Sequence, residues 1–349
     1  MRAIVVRQPG PALEVMHLET VPDPAPRPND VIIKVAACGV CFHDVVTRNG
    51  TLKNGVNMPM IPGHEIAGTV AEVGANVRDF KIGDRVATTQ RRHVCGHCRY
   101  CRSAREPLCD EAEFIGDSGL NGGFAEYVSV ESDNAAAVPD GVPFTSAAIA
   151  SCAIGSMLHA LRDVGRVQLG ERVLVTGAGG GLGIHGVQLA RAAGARVIAQ
   201  TTSPEKIEAI RAAGADAVVL SERGGSDFAA EVKDLTGGEG VDVVIDNVGS
   251  PLFQPTRRSL GRGGRWVLVG QVSGEFVPFN PAQFVLKNIS MLSSTSTTVH
   301  VLRQTLALIA RGVVRPMVSG SVPLARAAEA HAMVEKGSVL GRLVVEPAS

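Results

Sequence analysis

Arg172-Val-Leu-Val-Thr176 runs directly into Gly177-Ala-Gly179-Gly180-Gly181-Leu182-Gly183. A short apolar run followed by glycines and then by a helical pattern to Ala193 predicts a buried strand, a tight turn and a helix. The alternation continues on the C-terminal side. Arg196-Val-Ile-Ala199 is the next strand. Ser203-Pro204-Glu205 then offers an N-cap, a proline at the first helical position and an acid in the first turn, and Gly214 closes that helix. Ala217-Val-Val-Leu220 is a third strand, Ser226 is placed to cap another helix, and Val241-Asp-Val-Val-Ile245 and Arg265-Trp-Val-Leu-Val269 follow, separated by a helix to about Leu260. Strand and helix in strict alternation predict an α/β fold, a doubly wound parallel sheet with helices on both faces.

In such a sheet the glycine turn lets the backbone approach a pyrophosphate, and the following helix start offers free N–H groups. The spacing departs from the strict dinucleotide fingerprint: either Gly177, Gly179 and Gly183 carry one extra residue, or Ala178 replaces the first glycine. Gly177, Gly179, Gly180, Gly181, Leu182 and Gly183 are therefore the expected cofactor cradle, with Val248, Val269 and Gly270 beyond later strands. The end of the second strand selects the nucleotide. A carboxylate there would bind the ribose 2′-hydroxyl of NAD. This chain has Gln200-Thr201-Thr202-Ser203, without an acid, and Lys206 a helical turn further on. Thr201, Thr202, Ser203 and Lys206 can accept a 2′-phosphate, so NADP(H) is favoured over NAD(H).

The region before residue 140 is different. Val31-Ile-Ile-Lys-Val35, Gly68-Thr-Val-Ala-Glu-Val73 and Phe124-Ala-Glu-Tyr-Val128 are short β-type runs, and Pro22-Asp-Pro-Ala-Pro-Arg-Pro28 reads as a loop between strands. This part is expected to be an irregular, mostly antiparallel β domain. At 349 residues the chain is too long for one ordinary core. Lys+Arg and Asp+Glu both number 34, and a formal net charge of zero argues against nucleic acid or an anionic membrane as partner. The apolar run Ala3-Ile-Val-Val6 is too short for a signal-peptide core, and the stretch from Ala147 to Leu161 is interrupted by Ser, Gly and His. A cytoplasmic protein acting on a small molecule is expected.

Seven cysteines are an odd number for a disulfide framework. Four of them stand together as Cys95-Gly-His-Cys98-Arg-Tyr-Cys101 and, seven residues on, Cys109. Four thiolates fill a tetrahedral zinc cage and leave no corner for a substrate, so this cluster reads as a structural site. Cys38, Cys41 and Cys152 remain for chemistry.

Gly39-Val-Cys41 with Asp44, Gly63-His64-Glu65, Gly83-Asp84-Arg85-Val86, the four-cysteine lobe and the glycine turn together resemble the zinc-dependent medium-chain alcohol dehydrogenase family along nearly the whole chain. The resemblance implies a GroES-like β catalytic domain joined to a Rossmann domain with the active site in the cleft between them. It puts the catalytic domain at 1–153, the nucleotide domain at 154–291, and a C-terminal return at 292–349 that completes the Rossmann edge and the catalytic domain; Gly341-Arg-Leu-Val-Val345 is the returning strand. It implies two zinc ions per chain. Cys41, His64 and Cys152 match the catalytic ligands, and Cys95, Cys98, Cys101 and Cys109 the structural ones. Asp44 and Glu65 match acids that orient the catalytic site, and Cys38 is left as a buried apolar residue. It also implies a homo-oligomer, dimer or tetramer.

One position departs from the family pattern. Many members carry Ser or Thr two residues after the first zinc cysteine to convey the alcohol proton; here that residue is His43, and the relay histidine of some members falls on Val46. His43 either takes the proton itself or only lines the pocket, with Thr47 as a weaker substitute. The implied activity is reversible alcohol and carbonyl oxidoreduction. Gly177 through Gln188, Asp246-Asn-Val-Gly-Ser-Pro251 and the tail from Leu286 to Leu324 also resemble the acryloyl-CoA reductase branch, which implies NADPH-dependent reduction of an activated C=C bond. A third possibility is a quinone-reductase-like or crystallin-like protein that binds nucleotide without turnover.

Overall fold

The computed structural model describes residues 1–222 and 227–347; the expected cap at Ser226 lies outside them. The chain divides into two units, Met1–Gly155 with Ser296–Ser349, and Ser156–Thr295.

The second unit is a six-stranded parallel sheet in the order Ala217–Leu220, Arg196–Thr201, Arg172–Val175, Val241–Asp246, Leu260–Leu268, Ser290–Ser293. This is the doubly wound order: strands are added outward in one direction from Arg172–Val175, then in the other from Val241–Asp246. β-branched residues fill the central strands because both faces are covered. Leu174, Ile198, Val244 and Trp266 form the core, with Phe253 4.8 Å from the Trp266 ring. The buried indole needs a partner, and its Nε1 donates to Asp246 Oδ2 at 3.1 Å. One edge strand of this sheet is Ser290–Ser293, and the chain rejoins the first unit from Ser296. Ser203 occupies its expected position before a helix, but its side chain makes no cap. Its backbone N–H is held instead by Thr201 Oγ1 at 3.2 Å, and the helix opens as the tighter turn Pro204–Lys206.

In the first unit a seven-stranded sheet runs Val318–Pro323, Arg342–Glu346, Asp30–Gly39, Glu65–Val73, Arg85–Thr88, Ala135–Ala137, with Tyr127–Glu131 also on Asp30–Gly39. All pairs are antiparallel except the first. Asp30–Gly39 is the organising strand. Its register gives Gly39 opposite both Glu65 and Val344. The residues just beyond Gly39, the start of Glu65–Val73 and the start of Arg342–Glu346 therefore come to one end of three adjacent strands. Ile4, Ile33, Val35, Val70 and Phe124 lie in the core beneath. No helix among the described residues is long and apolar enough to cross a membrane.

Candidate active site

Cys41 ends the Asp30–Gly39 strand's exit and begins the helix Phe42–Arg48. A reciprocal cap fixes it: Asp44 N–H donates to the Cys41 sulfur, and Cys41 N–H donates to Asp44 Oδ2 at 3.0 Å. Gly63 adopts φ +98°, where an added Cβ would meet Cys38 Sγ and Phe124. Only glycine fits that turn, which aims His64 at the strand end. Gly63 N–H and His64 Nδ1 both reach Asp44 Oδ1, at 3.2 and 3.0 Å. Asp44 thus holds the cap, the turn and the imidazole together, and His64 keeps Nε2 for a metal.

Cys152 arrives from the wide helical turns of Ala150–Gly155, where the bonds skip one residue further than in an α-helix. Its sulfur lies 3.8 Å from that of Cys41. Ligand atoms of Cys41, His64, Glu65 and Cys152 all fall within 4.8 Å of one another, and all four residues are buried. Two thiols and an imidazole at this distance could hold a zinc ion. Cys38 stays outside the cluster, buried in the apolar core, and burial pushes its thiol well up.

The electrostatics favour a Cys41 thiolate. Its pKa is drawn well down, first by the hydrogen bond with Cys152 and, against burial, by Arg342 and His64. Burial opposes charge on His64, yet Asp44 and Cys41 outweigh it and raise the ring's pKa well above its ordinary value. Arg342 was not foreseen as a site residue. Its Nε and Nη2 donate to Glu65 Oε2 and Oε1 at 3.1 and 2.7 Å, and Nη2 lies 3.2 Å from Cys41 Sγ. A lone arginine opening the apolar run of Arg342–Glu346 is the signal that could have found it.

His43 is also committed. Its Nε2 lies 2.9 and 3.0 Å from the two Asp117 oxygens, and Thr47 Oγ1 donates to Oδ1 at 3.3 Å. The His43 ring stands edge-on to His64 at 5.2 Å, and Phe114 packs against both rings. Asp117 and Phe114, too, were invisible to sequence reasoning. Beside Thr47 opens a cavity of about 550 Å³ lined partly by Pro9, Leu52, Lys53, Val56 and Met58.

In the lobe, ligand atoms of Cys95, Cys98, Cys101 and Cys109 lie within 4.8 Å of one another. Backbone N–H groups of Cys95, Cys98 and Cys101 donate to the sulfurs of Cys109, Cys95 and Cys98 at 3.3–3.5 Å. The bond from Cys101 N–H is the main reason the Cys98 thiol falls to about 7.

In the second unit, a Cβ at Gly183 would collide with the Gly177 carbonyl, so the turn closes only around glycine. The helix Gly183–Ala192 starts there, with Ile184 N–H donating to the Gly180 carbonyl at 3.1 Å and Gly186 N–H to that of Leu182 at 2.9 Å. The Lys206 side chain lies along Gly179, within reach of a Cβ that residue lacks. Thr201 and Ser203 are buried and Thr202 partly so. Gln200 accepts from Gly177 N–H at 2.9 Å and donates to Ser221 at 2.7 Å, bracing the turn against two strand ends. Asp246 Oδ1 accepts from Thr176, Val248 and Gly249, and the Asp246 carbonyl receives Val269 and Gly270 N–H. These bonds fix the backbone of the last three predicted cofactor positions.

Residues 27–140 match the alcohol dehydrogenase GroES-like domain family and residues 181–311 the zinc-binding dehydrogenase family. The chain is 36% identical to the acryloyl-coenzyme A reductase of Sulfurisphaera tokodaii, over 99% of this chain and 100% of that one. It is 35% identical to an alcohol dehydrogenase of Geobacillus stearothermophilus, over 99% of each. The crystal structure of AibC superposes with a TM-score of 0.91 at 44% identity, covering 99% of this chain and 95% of that one. The chain belongs to the zinc-binding alcohol dehydrogenase family of the medium-chain dehydrogenase/reductase superfamily, oxidoreductases that use a nicotinamide cofactor.

Proposed function

We propose that the protein is a zinc- and NADP(H)-dependent dehydrogenase that interconverts a small alcohol and its aldehyde or ketone. The carrying observation is the convergence of Cys41, His64 and Cys152, from three separated segments, on one buried point with oriented partners. A zinc ion there would supply Lewis acidity toward the substrate oxygen, and a bound nicotinamide would exchange the hydride with the substrate carbon. The chain's own residues hold and orient. Cys41, His64 and Cys152 are the metal ligands of this reading, and Asp44 sets the imidazole. Glu65 and Arg342 balance charge behind the thiolates, and His43 meets the substrate hydroxyl. Gly177 to Gly183 receive the pyrophosphate, and Thr202 and Lys206 the 2′-phosphate. Cys95, Cys98, Cys101 and Cys109 hold a structural zinc. A homo-oligomer belongs to the same reading, since the edge strand Ser290–Ser293 and exposed Phe276, Val285 and Leu286 leave an apolar flank.

A second reading is NADPH-dependent reduction of an enoyl thioester. It is favoured by the likeness to a protein named acryloyl-coenzyme A reductase and by a histidine where an alcohol relay has a hydroxyl. The deciding experiment is a turnover panel of simple alcohols, aldehydes, ketones and enoyl thioesters with NADPH and with NADH. Turnover of alcohols and carbonyls supports the first reading; turnover of enoyl thioesters alone replaces it with the second.

A further inference from the structure

We propose that Asp117 is the positioning residue for His43, fixing that ring as a hydrogen-bond acceptor toward a substrate hydroxyl. The inference rests on the alcohol reading above and adds a residue to it. The segment that carries Asp117 is laid across the Cys41–His64 cluster and locked there. Phe114 contacts both histidine rings, at 4.8 Å from His43 and 5.2 Å from His64. Ile115 is fully buried and its N–H donates to the Gln90 carbonyl. The Gly116 backbone presses on Gly63, so close that an added Cβ would stand 3.0 Å from Gly63 N. Asn57 N–H donates to the Asp117 carbonyl at 3.1 Å. The carboxylate is therefore held in place before it meets the imidazole.

Both Asp117 oxygens then address one atom, His43 Nε2, and Thr47 supplies a further hydrogen bond to Oδ1. An ionised carboxylate only accepts, so Nε2 carries the hydrogen. In the neutral ring this leaves a lone pair on Nδ1. Among the described residues Nδ1 has no hydrogen-bond partner, although the side chain is 32% exposed. A ring touching the metal ligands, with its donor consumed by the protein and its acceptor unspent, is built to receive an O–H. The logic is that of a carboxylate setting a histidine's tautomer in a hydrolytic triad, where the amide variant keeps the shape and loses the rate.

The test compares the wild-type holoenzyme with Asp117→Asn, His43→Ala and the double variant at one fixed pH. The readouts are kcat and KM for alcohol oxidation, zinc content, and the imidazole nitrogen shifts of selectively labelled His43. In Asp117→Asn, kcat is expected to fall at least about tenfold while zinc content and cofactor KM hold. The double variant should be no worse than His43→Ala alone, because the two residues act as one unit. Undiminished kcat in Asp117→Asn, or losses that multiply in the double variant, overturns the proposal. The nitrogen shifts of the wild-type protein decide it even if a variant fails to fold: hydrogen on Nε2 supports it and hydrogen on Nδ1 overturns it. A wild-type enzyme that turns over only enoyl thioesters removes the alcohol reading instead, and the His43 tautomer then still reports separately on Asp117.

Discussion

Arg342 grips Glu65 through two parallel hydrogen bonds across 277 positions of sequence, while the same guanidinium lies 3.2 Å from the Cys41 sulfur. Both side chains are almost wholly buried. Burial pushes the Glu65 carboxyl up, and Arg342 is the largest influence opposing it. Arg342→Met should therefore leave a buried, unpaired acid beside the candidate metal ligands. The expected cost is about 3–5 kcal/mol of stability, with weaker retention of the ion at this cluster. Denaturant unfolding and zinc analysis check both. Arg342→Lys should fall between, since a point charge cannot bridge both oxygens in a fork.

His64→Ala removes one of three ligands from the Cys41 cluster and none from the lobe. Metal analysis should find the ion of the proposed catalytic site lost and that of the proposed lobe site kept, with activity abolished. Cys98→Ser should do the reverse, losing the lobe ion and stability together, because a structural ion contributes folding free energy directly. Full activity in His64→Ala would reject the proposed catalytic site.

Thr201 ends the Arg196–Thr201 strand where an NAD-selective chain would carry an acid. Thr201→Asp should repel a 2′-phosphate and offer the ribose hydroxyl a partner. Steady-state kinetics should show the KM for NADPH rising roughly tenfold or more and that for NADH falling, a change of about 1.4 kcal/mol per tenfold. A wild-type preference for NADH would sink the prediction at the outset.

His331 is fully buried against Phe124, and among the described residues neither ring nitrogen has a partner. Burial lowers its pKa from 6.5 to about 4. As pH falls below 6.5 the unfolded chain takes the proton first, so stability declines down to about pH 4 and this residue has no effect above 6.5. The full penalty is about 3 kcal/mol. His331→Leu should flatten the dependence of Tm on pH across that window; an unchanged slope would show that other groups carry it.

Local patterns were legible in the chain. The parallel strands from Arg172 to Val269 and the glycine turn could be read because their periodicity and turn chemistry act over a few residues. The lobe cysteines could be grouped because the first and last stand only fourteen positions apart. Ser203 shows the limit even at short range: it has the right residue type for a cap, but Thr201 takes its N–H and no cap forms.

Cys41, His64 and Cys152 were a different case, since resemblance grouped them and spacing could not. The partners around them were beyond either. Nothing near Glu65 in the chain announces Arg342, and nothing near His43 announces Asp117, 74 residues on. Short-range steric and hydrogen-bonding rules therefore determined the elements, the turn and the lobe from the sequence alone. The register of Asp30–Gly39 with its two neighbours decided which charge stands behind the Cys41 cluster, and the packing of Phe114 to Asp117 decided how His43 is held. Those pairings are contacts between surfaces, and they exist only once the strands have been brought side by side.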